Sequence, residues 1–174
     1  WLTKYACEIG ADAVLVVTPY YNKATQKGLI RMYTEIADAS TKPIILYNVP
    51  SRTGVNIKPE TYLELSKLPL INGAKEASGD ISAFAKTVAL CGDNLNFYSG
   101  NDDQITAFTA LGAKGVISVL SNILPKETSL MCKHYFNGNT AEATKMQLDY
   151  LALVNALFCE VNPIPAKAAV AAMG

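Results

Sequence analysis

Short apolar runs alternate with amphipathic stretches along most of the chain. Continuous apolar runs cover residues 13–18, 43–49, 70–76, 96–99 and 115–119, each the length of one buried strand. Between them lie stretches of helical periodicity, at about 26–39, 59–67, 81–90 and 102–111. In the first, Leu29, Met32, Tyr33 and Ile36 recur at the i, i+3, i+4, i+7 spacing of a buried helical face. Gly-Ala or Asn-Gly pairs ("EIGADAV", "LINGAK", "LGAKGV") separate helix ends from strand starts, where a helix C-cap belongs. Strands alternating with helices predict an α/β fold with parallel pairing and right-handed crossovers.

After Val119 the alternation stops. Helices are expected at 125–136 and about 141–158, and a last one opens near "NPIPAKAAVAAMG". No low-complexity segment or linker interrupts the chain. Two architectures fit five such strands: an open doubly wound sheet, or the later part of an eight-stranded barrel. The barrel requires about three further strands upstream. The chain opens on Trp1 rather than Met, in what reads as the tail of a helix, so a preceding portion is expected.

Composition narrows the function classes. Of 174 residues, 50% are apolar and 17% charged, with zero formal net charge, which describes a globular rather than a disordered protein. No basic stripe is present to neutralise phosphates, so nucleic acid is not expected as a partner. The longest apolar runs, such as "AVLVV" and "PIILY", are too short to span a bilayer, so no membrane role is expected. Cys7, Cys91, Cys132 and Cys159 form no C-x-x-C pair and read as reduced packing residues. With no secretory pattern in "WLTKYACEIG", a cytoplasmic location is expected.

In both architectures the functional residues sit at the C-terminal ends of strands. Here those ends read "TPYYN", "LYNVPSRTG", "AKEASG", "YSGND" and "VISVLSN", gathering tyrosines, an arginine, a lysine and glycines on one rim. Tyr20 and Tyr21 serve either aromatic packing or a subunit contact. Tyr47 lies in a strand and its hydroxyl needs a partner if the ring is buried. Arg52 follows in a Pro/Gly loop, where its planar fork either grips a carboxylate or is simply solvated.

Lys75 is the sharper case, because a buried cation is costly unless it is paired or loses its proton. Strand alternation puts Ile71, Gly73, Lys75 and Ala77 on one face, and Asn72, Ala74 and Glu76 on the other. Gly73 would leave room for a ligand to approach the amine. Burial would lower the lysine pKa from about 10.4 and keep a nucleophilic amine for Schiff-base chemistry. A tyrosine on the next strand would move the protons that imine formation requires. The alternative is that Lys75 snorkels to the rim. Other chemistries fit poorly: His134 is the only histidine, there is no G-x-G-x-x-G or Walker-type loop, and Asp102 and Asp103 read as a helix start.

Taken together, "ADAVLVVTPYYNKATQKGL", "PIILYNVPSRTGV", "GAKEASGD", "YSGNDD", "GAKGVISVLSNI" and "NPIPAK" resemble the dihydrodipicolinate synthase family, within the class I aldolase and N-acetylneuraminate lyase superfamily. The resemblance covers nearly the whole chain. It implies a TIM (β/α)8 barrel, here about strands 4–8 in residues 1–120, followed by C-terminal helices in 121–174. It also implies a lyase of lysine and diaminopimelate biosynthesis that condenses pyruvate with L-aspartate 4-semialdehyde through a lysine imine. By this resemblance Lys75 is the imine-forming lysine, and Tyr47 and Tyr21 relay protons. Tyr21 would be inserted across a dimer interface. Arg52 would hold the semialdehyde carboxylate, Gly100 and Ile117 would line the pyruvate pocket, and Tyr20 would lie in a lysine-feedback cleft. No metal or organic cofactor is implied, and a homo-oligomer (dimer or tetramer) is. The family's first three strands, with a Thr-Thr segment of the pocket, have no counterpart here, so the chain is expected to be a fragment. Two alternatives remain. One is another pyruvate-dependent aldolase, an N-acetylneuraminate lyase or keto-deoxy-sugar-acid aldolase, which Arg52 disfavours. The other is a non-catalytic, truncated assembly module.

Overall fold

Four of the five expected strands form, and they form one sheet. The computed structural model describes residues 1–174, with strands β1 (Val14–Val17), β2 (Ile44–Asn48), β3 (Ile71–Glu76) and β4 (Asn96–Ser99) in the order β1-β2-β3-β4. β1 with β2 and β2 with β3 pair in parallel. The helices are α1 (Leu2–Glu8), α2 (Gln26–Asp38), α3 (Pro50–Thr53), α4 (Pro59–Leu65), α5 (Ile81–Cys91), α6 (Ile105–Ala110), α7 (Pro125–Phe136), α8 (Thr140–Asp149), α9 (Leu151–Leu157) and α10 (Ile164–Ala172). None is long and apolar enough to cross a membrane. The chain divides into two compact units, Trp1–Tyr98 and Ser99–Gly174.

Local chemistry starts the helices. Thr25 caps α2 by accepting from the backbone N–H of Gly28 at 3.2 Å, and Asp80 caps α5 by accepting from Ala83 at 2.8 Å. Prolines open α3, α4 and α7, where their missing N–H costs nothing. In the first unit, Leu29 and Tyr33 of α2, Tyr62 and Leu65 of α4 and Phe84 of α5 are buried, as are Ile44, Leu46, Ile71, Ala74 and Phe97 of the sheet. Each large apolar side chain so buried contributes about 1.5–3 kcal/mol. The alternate residues are less covered: Leu15 is exposed, and Ile45 and Tyr47 are half-buried. In the second unit, Ile105, Met131, Ala143 and Met146 form one apolar cluster, and Leu120, Val154, Leu157 and Ala166 another.

Three expectations are corrected. The run 115–119 is not a strand, and makes only one parallel bridge, Val116 beside Ser99. Ser99 donates to the Gly115 carbonyl and Ile117 to the Ser99 carbonyl, both at 2.9 Å. The ladder then ends because Asp102 Oδ2 takes the N–H groups of Val119 and Leu120, both at 2.9 Å, and turns the chain into a 3₁₀ turn at Leu120–Asn122. The single helix expected at 141–158 is two, α8 and α9, joined at Tyr150. Helical hydrogen bonds continue through the joint, and Tyr150 packs against both apolar clusters, so one ring serves two cores.

The third correction concerns β3. Ile44 pairs with Ile71, but the next residue, Ile45, pairs with Gly73 rather than Asn72. The extra residue, Asn72, is exposed, and its carbonyl accepts from Asn96 Nδ2 at 3.0 Å. Strict alternation along Ile71–Glu76 is therefore broken by a bulge. Ile71 is level with Ile44 on the face of Leu46, Ala74, Asn48 and Glu76, not on that of Gly73 and Lys75.

Candidate active site

The register of β2 and β3 sets Tyr47 directly beside Lys75. The Lys75 Nζ lies 4.3 Å from the centroid of the Tyr47 ring, within cation–π range. Both side chains are half-buried. Desolvation by burial pushes the Tyr47 phenol above its ordinary pKa, and the nearby Arg52 guanidinium opposes part of that rise. A raised phenol pKa keeps the hydroxyl protonated at neutral pH and able to donate.

Arg52 sits on α3, a one-turn helix, and not in a loop. Val49 precedes Pro50, and Thr53 locks the turn: its hydroxyl donates to the carbonyl of Val49 or Val55, at 3.2 and 3.0 Å, and accepts from the Val55 N–H at 3.2 Å. Gly54 ends α3 in the left-handed region at φ 66°. There a Cβ would be strained and would meet Lys23 Cε at 2.7 Å. Such a short, locked turn holds the arginine base without a mobile loop. Leu15, Tyr20, Tyr47 and Arg52 line one cleft of about 450 Å³ at this end of the sheet. Tyr47 is thus shared between the cleft and the contact with Lys75.

The other expected residues fall as follows. Tyr20 lines the cleft but is 74% exposed, and Tyr21 is 90% exposed on the same loop. Tyr21 does not line the cleft that Tyr20, Tyr47 and Arg52 share. Gly100 and Ile117 lie in the second unit, in the segments that Ser99 holds by its bridge to Val116. Gly73 does not leave an opening beside the amine. A Cβ there would come within 3.2 Å of the Asn96 carbonyl oxygen, 3.6 Å of Ile45 and 3.7 Å of the Tyr98 ring. The glycine suits the close approach of the neighbouring strand, which a Cβ would push back by a few tenths of an ångström. Asp102 and Asp103 open a 3₁₀ turn, as a helix start would, and His134 lies in the last turn of α7. No group of three or more His, Cys, Asp or Glu side chains is placed to hold a metal ion.

One group of residues escaped the sequence reading. Glu76 is only 4% exposed, and its carboxylate accepts from Asn48 Nδ2 at 3.0 Å on both oxygens, from the Tyr62 hydroxyl at 2.7 Å and from the Ser78 N–H at 2.7 Å. Burial and the adjacent Glu76 carboxylate push the Tyr62 phenol well above its ordinary range, so it remains a donor. The available signal was an acidic residue inside an apolar strand, since such a carboxylate requires several partners.

Comparison with known proteins places the chain in a family. The model of the dihydrodipicolinate synthetase family matches residues 1–174. The chain is 55% identical over 168 residues to a 4-hydroxy-tetrahydrodipicolinate synthase of Clostridium perfringens, covering 97% of this chain and 58% of that protein. It is 56% identical over 174 residues to the protein of the same name from Caldicellulosiruptor saccharolyticus, covering 100% and 59%. Among solved structures it is similar to a dihydrodipicolinate synthase of Thermotoga maritima, with TM-score 0.97, 44% identity, and 99% and 60% of the two chains covered. A chloride-inhibited dihydrodipicolinate synthase from Acinetobacter baumannii, complexed with pyruvate, matches with TM-score 0.96 and 44% identity over 99% and 60%. The chain spans just under three fifths of the length of the curated relatives it matches.

Proposed function

Since this chain belongs to the dihydrodipicolinate synthetase family, we propose that the intact protein is a 4-hydroxy-tetrahydrodipicolinate synthase, condensing pyruvate with L-aspartate 4-semialdehyde through an imine on Lys75. The observation that carries this reading is the adjacency of Lys75 and Tyr47, with Nζ 4.3 Å from the ring centroid and Arg52 on the cleft that Tyr47 lines. The Lys75 amine adds to the keto carbon of pyruvate, and the protonated Tyr47 hydroxyl supplies the proton that leaves with the carbonyl oxygen as water. Loss of a methyl proton from the imine gives an enamine, whose carbon attacks the aldehyde. The amine of the semialdehyde then displaces Lys75 as the ring closes, returning the free enzyme. The Arg52 fork fits the carboxylate of the second substrate, which favours this synthase over a sugar-acid aldolase.

Several family features accompany the proposal. The protein is a TIM barrel, with residues 1–120 belonging to the barrel and 121–174 to the C-terminal helical part. The sheet order β1-β2-β3-β4, which lacks the reversal of a doubly wound sheet, supports that reading. Gly100 and Ile117 line the pyruvate pocket, Tyr20 belongs to an effector cleft, and the reaction takes place in the cytoplasm. The exposed Tyr21 supports a homo-oligomer in which it enters a neighbouring site.

Borohydride reduction of the intact protein with pyruvate, followed by mass spectrometry of its peptides, tests the chemistry. The expected result is one reduced pyruvate adduct on Lys75; no adduct there overturns the imine mechanism. Arg52→Ala is expected to raise KM for the semialdehyde much more than KM for pyruvate, and equal losses would remove the role given to Arg52.

A further inference from the structure

The reaction proposed above uses one face of β2 and β3, and leaves unexplained a buried, fully engaged carboxylate on the other. We propose that the Asn48–Glu76 pair is a positioning device that selects Lys75 as the partner of Tyr47 and holds the base of the Arg52 turn. The catalytic part of this inference rests on the function proposed above.

The argument begins with register. If the pairing of Ile44 with Ile71 simply continued along the strands, Tyr47 would meet Ala74, and Asn48 would meet Lys75. The bulge at Asn72 moves β3 by one residue, and Tyr47 then meets Lys75 while Asn48 meets Glu76. A one-residue slip sends every side chain beyond it to the opposite face. It would also strip Glu76 of its donors on Asn48 and Tyr62, leaving a buried charge unpaired. The bidentate contact between Asn48 Nδ2 and both Glu76 oxygens, reinforced by the Ala77 N–H donating to the Asn48 carbonyl at 2.9 Å, therefore penalises every other register.

Asn48 also reaches the second substrate-binding element. Its Nδ2 donates to Asn56 Oδ1 at 2.8 Å, and its Oδ1 accepts from the Ile57 N–H at 3.1 Å. Asn56 and Ile57 lie in the segment that leaves the Arg52 turn after Gly54. From the other side, Gln26 Nε2 donates to the Asn56 carbonyl at 2.8 Å. One asparagine thus ties the strand of Lys75 to the segment following Arg52. The side chains of Asn48 and Glu76 lie behind the sheet, away from Tyr47 and Lys75, so they act through position and not by contact with substrate.

Glu76→Gln tests this, because the amide must turn a donor toward either the Tyr62 hydroxyl or the Ser78 N–H. Tyr62→Phe is the control, removing one donor to the same carboxylate while leaving the Asn48 contact intact. The measurement is the rate of borohydride-trapped pyruvate adduct on Lys75 in intact folded protein, with melting temperature recorded beside it. A misplacement of about 1 Å costs about a hundredfold in rate, so Glu76→Gln is expected to trap about a hundredfold more slowly, and Tyr62→Phe within about threefold of the parent. The exchanged pair, Asn48→Asp with Glu76→Gln, restores a donor–acceptor pair across the strands and is expected to recover at least about a tenth of the parent rate. Rates that fall in proportion to melting temperature in both single variants overturn the proposal. If Glu76→Gln does not fold, the exchanged pair decides: a folded exchanged pair that traps no faster than about one hundredth of the parent overturns it. If the parent itself gains no adduct, the imine mechanism fails first. The register claim is then decided by the strand pairing in a crystal structure of Glu76→Gln, where retention of Tyr47 beside Lys75 overturns it.

Discussion

At the ends of β2 and β3, two pairs of neighbouring residues face opposite ways and have opposite physical characters. Asn48 and Glu76 face the helices, are 1% and 4% exposed, and have their hydrogen bonds supplied by Tyr62, Ser78, Asn56 and Ile57. Tyr47 and Lys75, one residue earlier on each strand, are half-buried, and the Lys75 Nζ lies over the Tyr47 ring. The inner pair is closed: removing either side chain leaves buried polar atoms short of a partner. The outer pair is less closed: Tyr47 lines a cleft and is covered enough for burial to raise its phenol pKa, and the Lys75 amine lies beside its ring. Rigidity and reactivity are thus placed back to back on the same two strands, and the rigid side determines what the reactive side presents.

The largest effect is expected at Lys75. Lys75→Ala should abolish the trapped pyruvate adduct while leaving the melting temperature within a few degrees of the parent, because the lysine is only half-buried. An adduct that persists at another residue would dissolve the contrast between the two pairs. Tyr47→Phe should slow turnover by about 10²–10⁴-fold, the usual range for loss of a positioned acid or base. A smaller loss in steady-state turnover would show that another group carries the proton.

Glu76→Ala inverts the pattern, with stability as the main casualty. It leaves Asn48 Nδ2, the Tyr62 hydroxyl and the Ser78 N–H short of an acceptor, and should cost about 3 kcal/mol in urea unfolding. An intact midpoint would mean that the cluster is satisfied some other way. Alkaline pH separates the contributions further. The folded-state pKa values of Tyr33 and Tyr62 are raised by burial, so their contribution is fully present below the unfolded tyrosine pKa of about 10 and is lost as pH rises toward the folded values. Tyr62→Phe should therefore make stability fall less steeply with pH above about 10, at a cost of about 1 kcal/mol at neutral pH. The smallest change is expected far from both pairs. Arg31→Ala removes an exposed ion pair with Glu35, 2.9 Å apart, and should shift stability by less than about 0.5 kcal/mol.

Legibility followed the range of the interactions. Lys75, Tyr47 and the strands that carry them were readable because apolar runs and strand ends are local patterns. The helical turn under Arg52 was not, since Pro50–Thr53 is too short to show helical periodicity and is held by Thr53 and Gly54 instead. The run at 115–119 has strand composition, yet a carboxylate at Asp102, 17 and 18 residues from Val119 and Leu120, draws their N–H groups away from the ladder. Tyr150 gives no sequence signal of a break, and its packing against two separate apolar clusters is set by residues distant along the chain.

What the amino-acid order by itself determined was the alternation of elements, the residues available at each strand end and, through the run of shared motifs, the family. Each depends on short spacings along the chain that persist whatever the rest of the molecule does. Only the tertiary structure decided that Tyr47 meets Lys75 rather than Ala74, because a single bulged residue at Asn72 changes every pairing after it without altering the apolar pattern that predicts the strand. It likewise made Glu76 a buried anchor, through Asn48 and Tyr62, which are 28 and 14 residues away. A carboxylate can be buried only where such distant donors converge, and that convergence is a property of the folded backbone.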